Sequence, residues 1–240
     1  MVAAVPLGGP ILHRQASTQA QALALAQCVA DQLRQAIASQ GRATLAVSGG
    51  RSPIVFFEHL RRERLAWDKV QVVLVDERCV APDHTDRNAR LVHQHLLQEA
   101  AASASFVDWL SGIDAPSAQT NEALLAHASS QAHVLRWPLD VAVMGMGEDG
   151  HTASWFPDSE GLGTALDSDL PLAWVRPRHA DHLRLTLTLS VIQACRHVHL
   201  AIAGAAKKTV LAAALAHTSP DKPVQTLIER VPALEVWIAD

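Results

Sequence analysis

The sequence predicts an α/β fold, a three-layer α/β/α sandwich around a mostly parallel, Rossmann-like central sheet. Two observations carry this. Short, nearly continuous apolar runs alternate with longer stretches of helical periodicity, the pattern of strands covered by helices on both faces. Each early run also stops abruptly in glycine or charge: Ser48-Gly49-Gly50 after the first, Asp76-Glu77-Arg78 after the second, Gly145-Met146-Gly147 after the third. Ligands of parallel sheets bind beyond the carboxyl ends of the strands, so these residues form a candidate functional rim.

Taken in order, Thr18-x-x-Gln21 reads as a capping box, and Leu23, Ala26, Ala30, Leu33 and Ile37 recur at three- and four-residue steps until Gly41 stops the helix. Ala43 to Val47 is a strand, followed by the loop Ser48 to Pro53 and a helix from Ile54 to Leu60. In that loop Ser52 is placed to cap a helix whose first residue is Pro53. Val70 to Val75 (VQVVLV) is a β-branched strand, and a helix runs from about Asn88 to Glu99. Leu139 to Met144, Leu172 to Val175, Arg184 to Leu189, His197 to Ala203 and Leu234 to Ile238 read as further strands, with a helix from about Ala206 to Ala216. With no repeat, charge block or long linker, residues 1–240 are expected to form one domain.

Composition narrows the function. A chain of 240 residues, 49% hydrophobic and with net charge −4, has material for a core and no global attraction for nucleic acid or an anionic membrane. Residues 1–10 lack the basic start and apolar stretch of a signal peptide, and no apolar run reaches the roughly 20 residues of a membrane span. Cys28, Cys79 and Cys195 are odd in number and far apart, which fits neither a disulfide framework nor a zinc site. The chain is expected to be cytoplasmic, with the thiols as small core residues.

The rim residues point to an anionic ligand. Gly49 and Gly50 let backbone N–H groups face a phosphate, and Arg51 adds a cation. Gly145-x-Gly147-x-x-Gly150 matches a dinucleotide fingerprint in letters only, because Pro157 follows too soon for a helix to open and no second strand ends in an acid. That segment makes better sense as a loop carrying Asp149 and His151, a carboxylate beside an imidazole that titrates near neutrality. Most of the thirteen His read as background; the pairs His93 with His95, His179 with His182, and His197 with His199 have no third ligand at diagnostic spacing. Lys207, just after Gly204, stands at a helix start, where a cation opposes the helix dipole unless an anion is also there.

In order along the chain, Ser48-Gly49-Gly50-Arg51-Ser52-Pro53, Asp76-Glu77-Arg78 with Pro82-Asp83-His84 and Asn88, Gly145 to Ser154 with Phe156-Pro157, Arg184 to Leu189, and Gly204-x-x-Lys207 resemble the 6-phosphogluconolactonases. These are a branch of a sugar-phosphate isomerase and deaminase superfamily. The resemblance covers about Ala43 to Asp240. The usual glycine loop of that family reads Ser-Gly-Gly-Ser-Thr-Pro; here Arg51 and Ser52 occupy the fourth and fifth places. Deaminases of the superfamily continue Asp-Gly-His as Ile-Ala-Phe-Asn-Glu-Pro, and Phe156 stands where that proton-transferring Glu would be. The resemblance implies lactone hydrolysis, with His151, Asp149, Asp76 and Arg78 in catalysis. It implies phosphate contacts from Ser48, Gly49, Gly50, Arg51, Ser52, Arg184 and Lys207. Neither metal nor cofactor is required, the partner is a small phosphosugar lactone, and a monomer is expected in preference to an obligate oligomer. The rival expectations are a glucosamine-6-phosphate deaminase or isomerase, and a phosphosugar-sensing effector module.

Overall fold

A computed structural model describes residues 9–231 and 233–240; most of the segment read as lacking a signal peptide lies outside them. The strands β1 (Ile11–Gln15), β2 (Ala43–Val47), β3 (Val70–Leu74), β5 (Ser105–Val107), β6 (Val141–Gly145), β9 (His197–Ala203) and β10 (Leu234–Ala239) form one sheet. Its order is β1-β10-β9-β6-β2-β3-β5, and every pairing is parallel. Helix α1 (Thr18–Gln40) packs on β1, β2, β6 and β10 and against α2 (Ile54–Leu60), which in turn meets α3 (Asn88–His95). Helix α4 (Asn121–Ala132) lies against β7 (Leu172–Val175). Further along, α5 (Leu162–Asp167) packs on α6 (Leu189–Ala194), and α7 (Ala205–Leu215) on α8 (Pro223–Arg230) and β9.

The predicted sheet is thus present, with one correction. Strands β7 and β8 (Arg184–Leu187) do not join it. They pair antiparallel with each other and with β4 (Asp76–Arg78), in the order β4-β8-β7. The chain changes sheet within one residue: Val75 N–H donates to Val47 O at 2.9 Å, in the large sheet, and Val75 O accepts from Leu187 N–H at 2.8 Å, in the small one. The expected strand through Leu189 therefore ends at Leu187, and α6 begins at Leu189.

Two caps also differ from the sequence reading. Ser17, not Thr18, caps α1, its Oγ accepting from Ala20 N–H at 3.1 Å. Gln21 is consequently free of the box and enters the core, where Nε2 donates to Ile202 O and Trp237 O, both at 2.7 Å, tying α1 to β9 and β10. Gly41 ends the helix in the left-handed region, φ 77°, as its position predicts. Ser52 caps nothing, because α2 begins only at Ile54 and Pro53 is its N-cap.

Core polar groups are paired rather than absent. The Asp140 carboxylate accepts from Thr44 N–H at 2.8 Å and Thr44 Oγ1 at 3.0 Å, which fixes β6 beside β2. Cys79 and Cys195 are buried, and desolvation pushes both thiols up to about 12, in keeping with core residues. His199 is fully buried between Gln32 Oε1 at 2.8 Å and Trp237 Nε1 at 3.1 Å, and burial pushes its imidazole down to about 3. The folded state then binds one proton fewer than the unfolded chain between about pH 3 and the ordinary histidine value near 6.5. Stability contributed here is complete above the upper limit and is lost as pH falls through that window, at about 1.4 kcal/mol per pH unit. Urea unfolding at a series of pH values should give a shallower acid slope for His199→Asn than for the parent protein; equal slopes would remove His199 from this role.

Candidate active site

A cavity of about 360 Å³, within the range of small-molecule sites, opens where the carboxyl ends of β2, β6 and β9 meet the small sheet. Its lining includes Ser48, Gly49, Gly50 and Ser52 after β2, Gly145 and Gly147 at the end of β6, His151 beyond them, and Lys207 in the first turn of α7. Asp76, Arg78 and Arg184 of the small sheet close the opposite side.

Close packing explains the glycine loop. Ser48 N–H still donates to Val143 O at 3.0 Å, so the chain leaves the sheet only at Gly49. A side chain at Gly49 would fall on the amide of Asn88, which donates to Asp76 O at 2.8 Å and so locks the loop beneath β4.

On the small sheet Arg78 stands directly opposite Arg184, and Asp76 opposite Thr186. Like charges facing each other across a strand pair are destabilising unless an anion lies between them. Burial lowers the Arg184 guanidinium from its ordinary value, Asp76 opposes that shift and Arg78 adds to it. Asp76 is itself buried and accepts from Ser154 Oγ at 2.6 Å. Arg78 Nε, Arg184 Nε and Ser48 Oγ are buried with no hydrogen-bond partner among the described residues, three polar groups converging on one cavity.

His151 Nδ1 lies 2.6 Å from Asp149 Oδ1, which also accepts the His151 backbone N–H at 3.1 Å. Burial raises the Asp149 carboxyl, but the bonds and charge of His151 outweigh it and leave the group below the usual carboxylate value. An ionised Asp149 fixes the Nδ1–H tautomer, so Nε2 is the basic nitrogen of a side chain that lines the cavity. Behind the pair, Lys222 Nζ donates to Asp149 O at 3.1 Å. The Phe156 ring stacks on His151 with centroids 4.1 Å apart, and the Arg184 guanidinium lies 5.1 Å from the same ring.

The family model for glucosamine-6-phosphate isomerases/6-phosphogluconolactonase matches residues 16–236. The chain belongs to this family. It is 46% identical over 205 residues to the 6-phosphogluconolactonase of Pseudomonas aeruginosa, covering 83% of each chain. To that of Mesorhizobium japonicum it is 45% identical over 216 residues, 88% of this chain and 87% of the relative. The crystal structure of a 6-phosphogluconolactonase from Shewanella baltica superposes with a TM-score of 0.89 at 33% identity, covering 96% of this chain and 98% of that one.

Of the site residues expected from the family resemblance, Ser48, Gly49, Gly50, Ser52, Asp76, Arg78, His151, Arg184 and Lys207 share the cavity lining. Asp149 stands behind His151 rather than in the lining, and Arg51 is exposed at the rim outside it. Lys207 makes no ion pair among the described residues, whereas its neighbour Lys208 binds Asp240 at 2.7 Å.

Sequence reasoning missed the supporting groups. Glu77 does not face solvent: it is fully buried, accepts N–H bonds from Arg78, Asn88 and Ala89, and pairs with Arg87 at 3.1 Å. Burial pushes its carboxyl up to about 7 against the pull of Arg87 and those donors. Ser154, in the loop after β6, and Asn88, the first residue of α3, hold Asp76 by side chain and backbone.

Proposed function

We propose that the chain hydrolyses 6-phospho-D-glucono-1,5-lactone to 6-phospho-D-gluconate, the second step of the oxidative pentose phosphate pathway. One observation carries the reading: the Asp149–His151 pair borders a cavity that also gathers a glycine loop, two arginines and an unpaired lysine. Phe156, stacked on His151, stands where a deaminase would need a carboxylate, and a phenyl ring moves no proton.

In this mechanism Nε2 of His151 takes a proton from water as the oxygen attacks the C1 carbonyl. Asp149 stabilises the imidazolium that forms. Arg78 faces the oxyanion of the tetrahedral intermediate, and Asp76 balances the arginine pair. As the intermediate collapses, the bond from C1 to the ring oxygen breaks and the imidazolium returns its proton to that oxygen. Ser48, Gly49, Gly50, Ser52, Arg184 and Lys207 hold the phosphate, with Arg51 adding positive charge at the rim, so that binding energy remote from C1 orients the ring. No metal or cofactor enters this scheme. The chain works as one catalytic domain and as a monomer in the cytoplasm; no helix among the described residues is long and apolar enough to cross a membrane.

The test is a coupled assay on freshly generated lactone, corrected for spontaneous opening. Product formation above the spontaneous rate is expected; ammonia release from glucosamine 6-phosphate without lactone hydrolysis would overturn the reading. Lys207→Ala should raise the KM about ten- to a hundredfold, the worth of a hydrogen bond to a charged group, with little change in kcat. An unchanged KM would place the phosphate elsewhere.

A further inference from the structure

We propose that His84, Asp86 and His182 form a binding site for a transition-metal dication of the Zn²⁺ type, beside the substrate cavity. His84 and Asp86 lie in the segment between β4 and α3, His182 in the segment between β7 and β8. One shared ion therefore ties two loops together. His182 Nε2 is 3.3 Å from Asp86 Oδ2, His84 Nδ1 is 3.9 Å from the same oxygen, and the two rings meet edge to face at 5.1 Å. One ligand atom from each residue lies within 4.8 Å of the other two. A tetrahedral ion with bonds of about 2.0–2.2 Å separates its ligands by roughly 3.3–3.5 Å, so one pair already has the required spacing.

His84 Nδ1 accepts the Asp86 N–H at 3.1 Å, so its proton sits on Nε2, and an ion bound through Nδ1 replaces that backbone donor. Two imidazoles and one carboxylate favour zinc, copper or nickel over magnesium or calcium, and partial exposure of all three leaves room for water to complete the coordination. The sequence pairs His179 with His182, but the fold supplies His84 from another loop. The second such group, Cys28, His199 and Glu235, does not qualify: both ring nitrogens of His199 are engaged, by Gln32 and Trp237, and burial pushes the Cys28 thiol up to about 11.

The site touches the cavity through the main chain. Arg78 donates to Asp86 O at 2.7 Å, so an ion that fixes Asp86 also fixes the carbonyl on which Arg78 rests.

Isothermal titration of Zn²⁺ into tag-free protein should show one site, weakened at least about tenfold in His84→Ala and in His182→Ala and unaffected by Cys28→Ser. Hydrogen exchange should report Zn²⁺-dependent protection of residues 79–87 and 176–183. Metal-free melting temperatures equal to the parent's check that the variants fold. Equal affinity in the histidine variants, loss of binding in Cys28→Ser, or binding without protection of either segment would each overturn the proposal. None of these readouts depends on the lactone reaction.

Discussion

His151→Ala is expected to lower kcat by roughly 10²–10⁴-fold, the usual worth of a positioned general base, while KM stays within about threefold. The split follows from geometry. His151 sits after β6 with Asp149, whereas the groups assigned to phosphate come from the β2 loop, α7 and the small sheet. Initial rates on fresh lactone, with a thermal melt to confirm folding, measure it. Near-normal turnover would remove the imidazole from the mechanism, and a KM effect without a kcat effect would make it a binding group.

The second large effect is expected from Gly147→Ala, the addition of a single methyl group. A Cβ at this position runs into the His151 ring and lies 2.5 Å from Asp149 Oδ1. The pair must move apart or swing together, and misplacement of a reacting group by about 1 Å costs on the order of 10²-fold. A kcat reduced at least about a hundredfold with a melting temperature within a few degrees of the parent's is the expected result. Gly163→Ala, in α5 with nothing within 4 Å of the added carbon, is the matched control and should leave kcat unchanged. Equal kinetics for the two variants would show that the loop absorbs the methyl group without disturbing the dyad.

The parts of this fold legible in the sequence were those with local causes. β-Branched runs gave the buried parallel strands, and Gly41 gave the end of α1. The rim was legible for the same reason, since strand ends and their glycines are adjacent in sequence. What escaped was set at long range. Asp76-Glu77-Arg78 carries no strand signature of its own and is a strand because β8 pairs with it. Helix α4 has alanine, serine and histidine spread around it with little amphipathic contrast, and β1 has mostly exposed or half-exposed residues at the edge of the sheet. Gln21 looked like a cap because its place in the pattern fits one; only the carbonyls of β9 and β10 explain its burial. His84 and His182 are brought together by two loops, which no spacing rule encodes.

Val75 belongs to both sheets at once, its N–H to one and its C=O to the other. The large sheet carries the β2 loop, Lys207 and His151, and the small one carries Arg78 and Arg184, so each end of the ligand is met by groups from both. Side-chain exchanges at Lys207, Arg78 or Arg184 retune how tightly one end of a sugar acid is gripped, whereas a change in the main chain at Val75 shifts the small-sheet contacts to both ends together.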